Sequence, residues 1–384
     1  MYGLKQAAIL AYQQLIKVLA PYGYSPIVGT VGLWQHIKRP IKFCLCVDDF
    51  GIKYYSKQDV DHLLSAIGSN YQYTTDWSGS NYCGLNIDWH YDDGYVDISM
   101  QNYVQKTLQR LLHTPKTTPQ YSSHEPINIQ YAKKNTTQYA TSPDTSQLLN
   151  QKDTKYIQSV TGSFLYYGRA IDYTILPTIN DIASEQANPT INTKQKAQIL
   201  MDYLHTYPNA YLRYHASDMI LHIDSDAAYL VAPKARSRVA GYFHLSDHPS
   251  VTKHPKLNGA ILVECKTLRH VVSSAAEAET GGVFHNAQVA IPIHTILKAL
   301  HHPQPPTPLK TDNSTANGFI HDNIHQKRSK SWDMNYHWLR DRNTQQQFKF
   351  FWDKGSNNNG DYYTKKHPTK HHRATRPKYV KDRL

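Results

Sequence analysis

From Tyr211 onward the chain breaks into short runs of alternating apolar and polar residues: AYLRYH (210–215), MILHIDSD (219–226), RVAGYFHLS (238–246), GAILVECKTL (259–268) and TLRHVVSS (267–274). A period of two puts successive side chains on opposite faces, so each run reads as a strand. A helical stretch, AEAETGGVFHNAQVAIPIHTIL (276–297), follows. PLKTDNSTANGFIH (308–321) then reads as strand into helix, and QFKFFWDK (347–354) as a last strand. Several strands in succession, then strands interleaved with helices, predict one α/β domain built on a mixed sheet.

The front of the chain has a different pattern. Ala8, Tyr12, Leu15 and Leu19 recur at helical spacing until Pro21 and Gly23, which predicts an amphipathic helix from Leu4 to Ala20. PIKFCLCVDDFGIKYYSK (40–57) reads as a hairpin with Asp48 and Asp49 at its tip, and NYCGLNIDWHYDDGYVDISM (81–100) as a second one. Residues 58–71 and 102–113 read as helices. Residues 114 to about 152 are rich in Thr, Ser, Pro, Gln and Asn without apolar periodicity, the composition of a linker. The expected order is therefore 1–113, a polar linker 114–155, a helical stretch 156–210, the mixed-sheet domain 211–366 and a basic tail 367–384.

At 384 residues, 40% of them apolar and 19% charged, the chain can bury more than one core. No run of 18 apolar residues appears, and MYGLKQAAILAY lacks the layout of a secretory signal. The expectation is an intracellular protein with no membrane partner. Cys44, Cys46, Cys83 and Cys265 form no CxxC pair and are expected to be small core residues. The formal net charge is +12, and residues 362–384 carry eight Lys/Arg against one Asp. Such a concentration favours a polyanion, since neutralising phosphates releases condensed counterions. A solvated tail is the plainer reading of the same charges.

Four acids stand in contexts suited to a metal centre. Asp224 ends one strand, Glu279 lies near the start of a helix, Asp312 ends another strand, and Asp361 follows a polar loop. A sheet can bring acids at strand ends and helix starts to one rim. Carboxylate oxygens are what a hard cation such as Mg²⁺ demands. Asp226 and Asp333 are expected to be solvated surface carboxylates.

In order along the chain, HIDSDAAYL, RSRVAGYFHLS, SSAAEAET, LKTDNSTA, RSKSWDMNYHWLRDR and NGDYYTKKH resemble the successive motifs of the ribonuclease H domain in copia-type (Pseudoviridae) retrotransposon polyproteins. The resemblance implies that Asp224, Glu279, Asp312 and Asp361 bind two Mg²⁺ ions, with Mn²⁺ an alternative, and cleave the RNA of RNA–DNA hybrids. Glu279 is preferred to Glu277 because the family's glutamate has a small residue three positions on, here Gly282. Where relatives carry a histidine this chain has Ser331.

Upstream, YGLKQA (2–7), CVDDFGIKYYSK (46–57), GLNIDW and VTGSFLYYGRAIDYTILPTINDIASEQANPT resemble the later palm, thumb and connection of the same polyprotein's reverse transcriptase. Asp48 and Asp49 stand at its metal-binding turn, with Cys46 in place of a tyrosine. The family's first catalytic aspartate lies before YGLKQ, so DNA synthesis is expected to be lost unless a fuller reverse transcriptase chain supplies it. Expected nucleic-acid contacts are Lys5, Gln6, Arg328, Lys330, Arg340, Lys365 and Lys366. The alternatives are a non-catalytic nucleic-acid-binding remnant and a decayed gene copy.

Overall fold

A computed structural model describes residues 6–30, 32–126, 144–232, 235–248, 255–322, 324 and 333–383. Lys5, Arg328, Lys330 and Ser331 lie outside the described residues. The chain divides into two compact units, Met1–Trp89 with Ile291–Pro303, and His90–Ala290 with Gln304–Leu384.

In the first unit, helix α1 (Ala7–Leu19) ends at Gly23, whose φ of 86° suits a residue without Cβ. Strands β1 (Tyr24–Pro26), β2 (Leu33–His36), β3 (Lys42–Cys46) and β4 (Asp49–Lys53) form an antiparallel sheet in chain order, followed by α2 (Lys57–Gly68). Leu15, Val18 and Leu19 of α1 share a core with Trp34, Phe43, Val60 and Leu63, as the helical period predicts. In the β3–β4 hairpin Cys46 pairs with Asp49. The tip is therefore Val47–Asp48, with Val47 at a φ of 59°, while Asp49 opens β4. Asp48 and Asp49 are both exposed. β5 (Asn81–Tyr82) pairs with β6 (Leu85–His90).

The second unit holds β7 (Tyr95–Ser99), α3 (Tyr103–Arg110), α4 (Gln151–Ala170), α5 (Leu176–Glu185), α6 (Ile191–Thr206) and β8 (Ala210–His215). It continues with β9 (Ile220–Ala232), β10 (Arg236–Ser246), β11 (Ala260–Thr267) and, up to Ala290, α7 (Ala275–Ala299). The remaining elements are β12 (Thr307–Thr311), α8 (Ser314–Ile320), α9 (Asp333–Thr344), β13 (Phe348–Trp352), α10 (Asp361–Thr364), α11 (Thr369–Tyr379) and β14 (Lys381–Asp382). The main sheet runs β11-β10-β9-β12-β13. Its first three strands are antiparallel, and β12 lies parallel to both β9 and β13. This is the expected mixed α/β architecture.

Several local expectations change. Beyond Thr267, the stretch TLRHVVSS forms no strand. Cys44 and Cys46 are exposed and Cys83 is half-buried; only Cys265 is a core residue, and none of the four is in a disulfide. In the polar stretch after 114, Ser122, Ser123 and His124 are buried.

The C-terminal segment is folded, with Lys370, Arg373, Lys378 and Lys381 still exposed on it. His372, Arg376 and Tyr379 of α11 are buried, and β14 pairs with β8. Arg376, 2% exposed, reaches the fully buried Asp172 at 2.9 Å and also pairs with Asp382. A guanidinium can be buried only with such partners, because an unpaired charge in low dielectric is costly. Among the described residues no helix is long and apolar enough to cross a membrane.

Candidate metal centre

Register between two parallel strands builds the floor of the site. Lys310 of β12 pairs with Asp224 of β9, and Thr311 with Ser225. One step further come Asp312, just past the carboxyl end of β12, and Asp226, in the middle of the long strand β9. Since the period is two, Asp226 shares a face with Asp224, and Asp312 shares one with Lys310. Cation meets carboxylate at one level, and carboxylate meets carboxylate at the next.

Helix α7 adds the third acid. Ser274 caps its start, accepting from the Glu277 amide at 3.1 Å, while the Glu277 carboxylate accepts from the amide and hydroxyl of Ser273. Glu277 is thus consumed locally, and Glu279 is left to face the sheet. Gly282 packs on β9, where a Cβ would make ordinary contact 3.5 Å from the Asp226 carbonyl oxygen. On the same helix Asn286 donates to Ser225 Oγ at 2.9 Å and to the Ala240 carbonyl at 2.8 Å, clamping α7 to β9 and β10.

Ligand atoms of Asp226, Glu279 and Asp312 lie within 4.8 Å of one another. Asp226 is 2% exposed, so it is not the solvated carboxylate expected from the sequence. Asp224, expected among the metal donors, is engaged elsewhere. Its Oδ1 lies 3.0 Å from Lys310 Nζ, and its Oδ2 accepts from the backbone and side-chain amides of Asn359. Asp361 begins α10, and its charge bears on Asp226 and Asp312, as does that of Lys365, which pairs with Asp361. The 358–360 turn is pressed onto β9, and a Cβ on Gly360 would lie 2.9 Å from the Asp224 carbonyl oxygen.

The electrostatics is that of a site built for added positive charge. Burial, with Asp361 and Asp312 adding repulsion, raises the Asp226 carboxyl to about 7 against the pull of Lys365. Burial and then Asp226 and Asp312 push Glu279 well above the ordinary range, and burial with Asp361 raises Asp312. Glu279 Oε2 is buried without a hydrogen-bond partner. An orphaned carboxylate oxygen facing two other acids fits a hard divalent cation, which takes oxygen donors.

Among the described residues no other group of three acids, histidines or cysteines converges in this way; Asp48 and Asp49 therefore lack a third partner there. Of the expected nucleic-acid contacts, Gln6 is exposed at the start of α1. Arg340 pairs with Asp322 at 2.9 Å, Lys366 with Asp181 at 2.8 Å, and Lys365 with Asp361. All three cations are held by the chain's own acids.

No family model matches the chain. A protein assigned to transposon Ty5-1 of Saccharomyces cerevisiae is 24% identical over 292 residues, spanning 73% of this chain and 87% of the relative. The N-terminal RNase H domain of a Mycobacterium tuberculosis protein superposes with a TM-score of 0.28 at 10% identity, over 38% of this chain and 91% of that one. A foamy viral protease-reverse transcriptase, solved with double-stranded DNA, gives 0.43 at 12% identity over 92% of this chain and 60% of that one. What the chain is similar to in sequence is thus a yeast protein assigned to a transposon.

Proposed function

We propose that this chain is a divalent-metal-dependent ribonuclease H that cleaves the RNA strand of RNA–DNA hybrids, of the copia type to which its ordered motifs are similar. The observation that carries the reading is the convergence of Asp226 from the middle of β9, Asp312 just after β12 and Glu279 of α7, with one Glu279 oxygen buried and unpartnered. Asp226, Glu279 and Asp312 would hold one ion, and Asp361 with Asp226 a second. Bound Mg²⁺ or Mn²⁺ would supply Lewis acidity and a water of lowered pKa. The protein's part is to hold its donors rigidly: Thr364 donates to the Asp226 carboxylate and Asn286 fixes the helix that carries Glu279. Lys310 and Asn359 neutralise and orient Asp224, which lies behind the donors as a support for the strand.

The polyanionic substrate suits the net charge of +12. Selectivity for a hybrid would require contacts to 2′-hydroxyls on one strand. The test is release of labelled RNA from an RNA–DNA duplex in Mg²⁺, with Asp312→Asn alongside. Cleavage by the native chain and none by the variant is expected; equal cleavage by both removes this centre. Salt-sensitive retention of the duplex without product would instead mark a binding protein.

A further inference from the structure

Among the described residues, Lys365 is a cation whose charge acts on every acid of the centre, Asp226, Glu279, Asp312 and Asp361. Its Nζ pairs with Asp361 Oδ1. The pair is partly exposed, at 31% for the Lys365 side chain and 35% for Asp361, so the side chain has solvent on one side. The ammonium therefore has a way out to water. Its backbone has reason to stay, because the neighbouring Thr364 is buried and bonds both the Asp226 carboxylate and the Asp361 carbonyl. Lys310, by contrast, is 9% exposed and tied to Asp224 and to the Asn357 carbonyl at 2.6 Å, so it is fixed.

A monovalent group on a flexible four-carbon stem, set among acids that would otherwise repel one another, occupies the electrostatic place of a bound ion. We infer that the Lys365 ammonium is a resident counter-cation, holding one cation position of the carboxylate centre in the metal-free chain and yielding it to a divalent ion. This rests on the reading of the carboxylates as metal donors. Its consequence is that metal loading is an exchange: the ion enters as the ammonium swings to solvent, and Lys365 is then free beside the centre to meet a phosphate.

The test is Mn²⁺ titration by calorimetry on the full chain at pH 8 and low ionic strength, comparing the native protein with K365Q, K365R and D226N. K365Q is expected to bind at least about tenfold more tightly, or to take one more ion per chain, because a repelling charge is gone. K365R should behave as the native chain. Equal affinity and stoichiometry in K365Q, or weaker binding, overturns the inference while leaving the metal centre standing. No binding by any of the four removes the metal centre and the inference with it. A second measurement needs no variant: acetylation of native Lys365, followed by peptide mass spectrometry, should rise on adding Mn²⁺ relative to other lysines. Unchanged reactivity with Mn²⁺ bound would also overturn the proposal.

Discussion

Lys310 and Asp224 face each other across β12 and β9 with Nζ 3.0 Å from Oδ1, and this pair divides the acids of β9 into two kinds. Asp224 already has its counter-charge within the protein. Asp226, two residues on, has Asp312 and Glu279 for neighbours instead. Asp226→Asn should therefore abolish Mn²⁺ binding and hybrid cleavage with little loss of stability. Asp224→Asn should leave Lys310 short of its partner and lower stability by about 1–3 kcal/mol, retaining metal binding. Urea melts and Mn²⁺ titrations of the two variants separate the roles; the reverse pattern would return Asp224 to the centre.

Stability of the metal-free chain should fall as pH rises from about 4 towards 8. Asp226 is raised to about 7, and Glu279 and Asp312 are raised as well. A carboxyl with a raised folded-state pKa contributes stability that is present below its unfolded pKa and lost as pH climbs through the folded one. Thermal melts should show this slope in EDTA, a shallower one in Asp226→Asn, and recovery of Tm at pH 8 when Mn²⁺ is added. An identical slope in native chain and variant would count against mutual repulsion at Asp226.

Much of this was legible in the sequence. The period-two runs located β8 to β11 and β13, and Asp312 does follow the end of a strand, whereas Asp224, expected at a strand end, lies inside β9, which continues to Ala232. The misplacement of Asp224 and Asp226 has a definite cause. Two acids at i and i+2 share a face, and only the partner strand tells them apart, because Lys310 falls opposite the first. Cross-strand register between segments 80 residues apart leaves no local trace. The same holds for β7, which pairs with β8 through Tyr95↔His215 to Ser99↔Tyr211 and is locked by the Asp97–Arg213 pair at 2.8 Å. Nothing within residues 90–113 announces that partner. The buried Arg376 was hidden by composition, because a charge run reads as solvated until its acids, Asp172 and Asp382, are seen to close on it.

Arg376→Met should destabilise the chain by about 3–5 kcal/mol, since it leaves the fully buried Asp172 without its guanidinium. A denaturant midpoint measured by tryptophan fluorescence checks this. A change below about 0.5 kcal/mol, the range of an ordinary surface substitution, would mean that the C-terminal helix adds little.

Gly360→Ala should damage the site more than the fold. Its φ of −65° suits alanine, so backbone strain is not at issue. The new Cβ would instead lie 2.9 Å from the Asp224 carbonyl oxygen and 3.1 Å from the Asp226 amide nitrogen, pushing the turn that carries Asp361 away from β9. Hybrid cleavage is expected to drop by about tenfold or more with Tm nearly unchanged, as misplacement of reacting groups outweighs lost packing.

The convergence of three remote acids is best tested by seeing an ion among them. Crystals of the full chain soaked in Mn²⁺ at pH 8 should give an anomalous difference peak within about 2.5 Å of carboxylate oxygens from Asp226, Glu279 and Asp312. A peak at Asp224 instead, or density for Mn²⁺ only at surface sites while those three carboxylates stand apart, would contradict the account.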